Sequence, residues 1–174
     1  MRLERLKTVL VVLCVLLTVA GCTAQDGGGQ LDGEGGRLLA EAVVSAATGG
    51  TVTVAMPDVL ADTAIAVPPG ALVADLTIRL RTGPGPAVSG VVGEALIIEP
   101  VDTSLALPAT LTLVYSDTDV PAGSDAGALA LLHVTTSGIQ TLLHNVVVDT
   151  VAHTVQGDTR ALGVFVLVSS PSPL

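Results

Sequence analysis

The sequence predicts an all-β protein, a single antiparallel β-sandwich, and three observations carry that prediction. Beyond Gly49 the apolar residues come in short runs, separated at short intervals by Gly, Pro, Asp and Ser. One run, Asp75–Arg81, alternates cleanly: Leu76, Ile78 and Leu80 fall on one side, and Asp75, Thr77, Arg79 and Arg81 on the other. That is the pattern of a half-buried strand with one wet face. The apolar content is also of the right kind, since 49% of the chain is hydrophobic but only 1% aromatic. A core of Val, Leu, Ile and Ala suits a pleated, two-sheet interior.

The elements follow in order. Arg2, Arg5 and Lys7 make a basic start, and an apolar run from Thr8 to Ala20 follows. Thirteen helical residues reach roughly 20 Å, short of the roughly 30 Å hydrocarbon core, so the run predicts a signal-peptide segment and not a permanent span. It ends in Val19-Ala20-Gly21-Cys22, which resembles a bacterial lipobox. The resemblance implies cleavage between Gly21 and Cys22 and acylation of the Cys22 sulfur, anchoring the protein to a membrane. Residues 1–21 are then a removed signal peptide. Cys14 leaves with it and Cys22 is consumed by lipid, so no thiol remains for a disulfide or a metal. Losing Arg2, Arg5, Lys7 and Glu4 moves the formal charge from -9 to -11 and leaves no lysine.

Residues 22–36 read as the lipidated cysteine and a flexible, acidic, glycine-rich tether, TAQDGGGQLDGEGG after Cys22. Gly27–Gly29 is not a phosphate loop, because no apolar strand precedes it, no lysine follows and acids surround it. Residues 37–48 form a lead-in segment open between helix and strand: Leu38, Leu39, Ala42, Val43 and Ala46 fit helical spacing, and a short strand fits too. The sandwich is expected over 49–168. Its strands are Thr51–Ala55, Thr63–Val67, Asp75–Arg81, Val91–Ile98, Thr110–Tyr115, Ala128–Val134, Ile139–Leu143, Val146–Asp149, His153–Gln156 and Leu162–Val168. Pro68-Pro69-Gly70 must interrupt the second of these, since two prolines fix φ and remove donors. Residues 169–174 read as a frayed Ser/Pro tail.

Several local patterns, in this order, resemble the ZU-five domain, the β-sandwich module of zonula occludens proteins, netrin receptors and ankyrins. They are Gly49-Gly50-Thr51-Val52-Thr53-Val54, Val67-Pro68-Pro69-Gly70-Ala71-Leu72, Pro108-Ala109-Thr110-Leu111-Thr112-Leu113 before Tyr115, and Val148-Asp149-Thr150 through Val155-Gln156-Gly157. Some members cleave themselves at a His-Phe-Ser site before the closing strand. The matching positions here are Ala161, Leu162 and Gly163, so the resemblance implies no self-cleavage by that route. Phe165 is expected to pack in the closing strand.

Composition excludes several functions. The acidic balance offers no basic stripe for nucleic acid, and the missing aromatics remove stacking platforms for bases. His133, His144 and His153 are the only imidazoles, and they read as solvated strand-end or turn residues. Asp117, Asp119 and Asp125 are candidate calcium ligands, but the segment lacks the EF-hand glycine and terminal glutamate and reads first as a turn. Gly83-Pro84-Gly85-Pro86 is a turn and not a dinucleotide loop. Glu94 and Glu99 read as solvated strand-end carboxylates and not as a glycosidase pair. No Gly-x-Ser-x-Gly elbow is present. The expectation is an envelope lipoprotein without enzymatic activity or cofactor. It would face the periplasm or the cell exterior and serve protein interaction or scaffolding. The alternative is a small-ligand, glycan or calcium-binding surface domain.

Overall fold

The computed structural model describes residues 31–32 and 36–169. They form two antiparallel sheets packed face to face, a β-sandwich. The first strands are β1 (Leu31–Asp32), β2 (Gly36–Val44), β3 (Gly50–Thr53), β4 (Ala64–Val67), β5 (Leu76–Gly83) and β6 (Val91–Glu99). After β7 (Ser104–Val114), a 3-10 turn (Ala126–Ala128) leads into β8 (Leu129–Val134) and β9 (Gln140–Leu142). The last strands are β10 (His144–Asp149), β11 (Thr154–Ala161) and β12 (Val164–Ser169). One sheet has seven strands in the order β1-β2-β5-β6-β12-β8-β9, the other five in the order β10-β11-β7-β4-β3. Among the described residues no helix is long and apolar enough to cross a membrane.

The alternation in Asp75–Arg81 sets the inside of the seven-stranded sheet: Ile78 and Leu80 are fully buried, while Arg79 faces water beside Glu41. Facing them, β7 buries Ala109, Leu111 and Leu113, and within their own sheet β12 adds Phe165 and Leu167 to the core. The hydrophobic residues of the core between the sheets are aliphatic except for Phe165 and Tyr115. At the predicted corner Gly70 has φ +77, and its N–H donates to the Ala46 carbonyl.

Three boundaries differ from the sequence reading. The open segment 37–48 is strand β2 as far as Val44, paired to β5 from Arg37↔Thr82 to Val44↔Leu76. A register slip between Leu38 and Ala40 explains why its apolar residues also fit helical spacing. The described strands therefore begin before Gly49, and Leu31–Asp32, within the segment 22–36 expected to be a tether, pairs with Gly36–Arg37. At the other end Ser169 is not tail but the last residue of β12, paired with Leu129 and bonded to Gly90. Residues 170–174 lie outside the described residues.

One region departs from simple alternation. On the outward face of the seven-stranded sheet, Ala95, Leu132, Val134 and Val166 form a second buried apolar cluster, with Val88 and Val91 packed on it. The Gly83–Gly90 connection lies over it: a Cβ on Gly85 would meet Ala95 and Val166 at 3.7 and 3.8 Å. So β8 and β12 bury side chains on both faces.

Candidate functional site

The predicted site residues do not converge. Asp117 pairs with His153, Oδ1 lying 3.2 Å from Nδ1. Asp125 caps the 3-10 turn, accepting from the Gly127 N–H at 2.8 Å. Asp119 stands over strand β6, where a Cβ on Gly93 would come within 3.5 Å of its Oδ2. Among the described residues no group of three or more His, Cys, Asp or Glu side chains is arranged to hold a metal. Glu99 pairs with Arg81 across β5 and β6 at 3.2 Å. Gly21 and Cys22 lie outside the described residues.

What the register does bring together is a flat outer face on the five-stranded sheet. One row crosses all five strands as Thr53, Ala64, Thr112, Gln156 and Val147. The next row runs Thr51, Ala66, Thr110, Asp158 and His144. On β3, β4 and β7 every member is threonine or alanine, so this part of the face is small, hydroxyl-studded and uncharged in a chain of net charge -9, while its β11 side carries Asp158. Polar contacts confined to its β11 side tie it down: Gln156 Nε2 donates to Thr112 Oγ1 at 3.1 Å and Thr110 Oγ1 to Asp158 at 3.3 Å. Strand β3 is one of the sheet's two edges, and it carries no charge or proline of the kind that blunts such edges.

A second feature lies at one end of the sandwich. A cleft of about 470 Å³ opens between the sheets, walled by Val92, Leu96, Leu113, Tyr115 and Leu167. Arg37, Glu94 and Asp119 are its charged lining. Arg37 is bound to Asp58 through both guanidinium NH groups, the second at 3.2 Å. That bond holds the Asp58 carboxyl below, and the Arg37 guanidinium above, its ordinary range. Strand β6 bulges here: its register against β12 slips between Leu96↔Phe165 and Val92↔Leu167. Gly93, inside the slip, has φ +70, which a side chain resists. Bulges of this kind re-aim side chains next to sites. Tyr115 is only 6% exposed and its hydroxyl is buried without a hydrogen-bond partner. Burial, and after it the charges of Asp117 and Asp149, push the phenol above its usual range.

The histidines are a correction. His133 is not a solvated strand-end residue: it is 8% exposed and lies tilted on Phe165, ring centres 4.9 Å apart. Its position on the inward face of β8 decides this, because the paired β12 residue is Phe165 itself. Burial pushes the imidazole below its usual range, opposed by a hydrogen bond to the Leu162 backbone. Its Nε2 has no partner, and a Cβ on Gly163 would sit 2.5 Å from it. His133 also borders a second hollow of about 390 Å³, between β9, β10 and β11. His144 is exposed, and His153 is half-buried, edge-on to Tyr115.

Sequence reasoning missed the cleft because Arg37, Asp58, Gly93 and Tyr115 come from four separate stretches. One signal was available: a lone glycine within the apolar run of β6, which marks a bulge or a close approach. Compared with known proteins, the chain matches no family model and no curated protein. What fold and site define is thus an antiparallel β-sandwich with an end cleft and an outer face that is rich in threonine and alanine.

Proposed function

We propose that this chain is a lipoprotein of the cell envelope, held to a membrane by acyl chains on Cys22. In this reading its sandwich is a non-catalytic module that docks an envelope protein. The docking surface is the outer face of the five-stranded sheet with its β3 edge. The observation that carries the reading is the pair of registered rows through Thr53-Ala64-Thr112 and Thr51-Ala66-Thr110. A flat face of small residues lets another backbone approach closely, and a free edge can accept a partner's strand through main-chain hydrogen bonds. The lipobox Val19-Ala20-Gly21-Cys22 supports the anchor. The ordered ZU-five-like motifs support the use as an interaction module.

The test is crosslinking in intact cells from a photoreactive residue at Thr53, followed by pull-down. One reproducible envelope protein is expected, lost in Thr51→Lys/Thr112→Lys. Failure to capture any reproducible partner would refute the docking face. Palmitate labelling should vanish in Cys22→Ala, and its persistence would refute the anchor.

A further inference from the structure

The end cleft has a chemistry the docking face does not use. Its walls are aliphatic, from Val92, Leu96, Leu113 and Leu167. Its volume of about 470 Å³ falls within the range of small-molecule pockets. Arg37, the only cation in the lining, is already bound by Asp58 through two hydrogen bonds. The carboxylates of Glu94 and Asp119 make no hydrogen bond or ion pair among the described residues, and Glu94 feels the Arg37 charge only across the cleft lining. The charge left for a ligand is therefore negative. An anion would meet two carboxylates, and a purely apolar molecule would leave both of them without a counter-charge. No metal cage is formed here, since no three metal-capable side chains converge among the described residues.

We infer that this cleft binds a small organic cation, an ammonium group on an aliphatic body, with Glu94 and Asp119 receiving the ammonium and Tyr115 completing the wall. The inference is independent of the docking face, whose residues lie elsewhere on the five-stranded sheet.

The chain supplies its own probe. Tyr115 is the single tyrosine and there is no tryptophan, so intrinsic fluorescence excited in the tyrosine band reports the cleft wall. The full chain, reconstituted in neutral phosphatidylcholine vesicles, is titrated with hexylammonium, hexanol and hexanoate. Hexylammonium should change the emission saturably in the millimolar range or below, with hexanol at least about tenfold weaker and hexanoate inactive. Glu94→Gln/Asp119→Asn should weaken hexylammonium about tenfold while leaving the ligand-free melting curve unchanged. Equal binding of all three probes would overturn the proposal, as would no saturable response to any. Unchanged affinity in the double variant, or a response to calcium alone that hexylammonium cannot displace, would do the same.

Discussion

In the seven-stranded sheet, β12 buries Phe165 and Leu167 against the opposing sheet and Val166 on its far side, where the Gly83–Gly90 connection covers it. In the five-stranded sheet, β7 buries Leu111 and Leu113 on one side only, and its Thr110 and Thr112 meet solvent. The two sheets thus share one core but differ in how many faces they commit to burial. The doubly buried ribbon β8–β12 is where side-chain removal should be felt most. The singly buried sheet is where outward substitutions should cost least.

The comparison breaks first at Phe165. Phe165→Ala should lower unfolding stability by about 3–5 kcal/mol in urea denaturation, as for large-to-small changes in close-packed cores. A loss below about 1 kcal/mol would mean the ribbon is not the rigid part. Gly163→Ala should cost about 1–3 kcal/mol, because its new Cβ would press on His133 Nε2. In a double-mutant cycle with His133→Ala the two losses should fail to add by at least about 0.5 kcal/mol, and additivity would sever the contact.

Acid supplies the next probe. His133 is held below its unfolded value by burial, so the unfolded chain binds its proton first. Its contribution is complete above the unfolded pKa of about 6.5 and is lost as pH falls from there through the depressed folded value. Asp58, also held low, gives way only in more acid solution, below its unfolded pKa of 3.8. His133→Gln should flatten the upper part of this decline in pH-dependent melting, and an unchanged profile would show that the ring is not shielded. A smaller effect is expected at the outer patch, where Val88→Ala should cost about 1 kcal/mol. Smallest of all, Thr53→Lys should stay within about 0.5 kcal/mol of the parent. A larger loss would show that the five-stranded sheet hides a second covered face.

Much of this contrast is readable along the chain. The outward threonines alternate with buried leucines in Thr110–Leu113, whereas Ala128–Val134 and Val164–Val168 are nearly unbroken apolar runs, the mark of strands covered on both sides. Strand β2 was ambiguous because its state is settled by the edge of β5, which lies dozens of residues away, and not by its own spacing. The cleft was invisible for the same reason: it is an accident of register, formed where β6 slips and where Arg37 reaches Asp58. His133 was misread because local sequence says nothing about which face of β8 the β12 pairing turns inward.

Strand β1 bears on what the sandwich could reach from a membrane. Its pairing places Leu31 opposite Arg37, a residue of the cleft lining. With acyl chains on Cys22, the leash is then counted to Leu31 and not to Gly36, a contour length of about 30 Å and not about 50 Å. In the proposed anchored state, a leash that short would keep the sandwich within about 30 Å of the acylated cysteine, close to the headgroup layer.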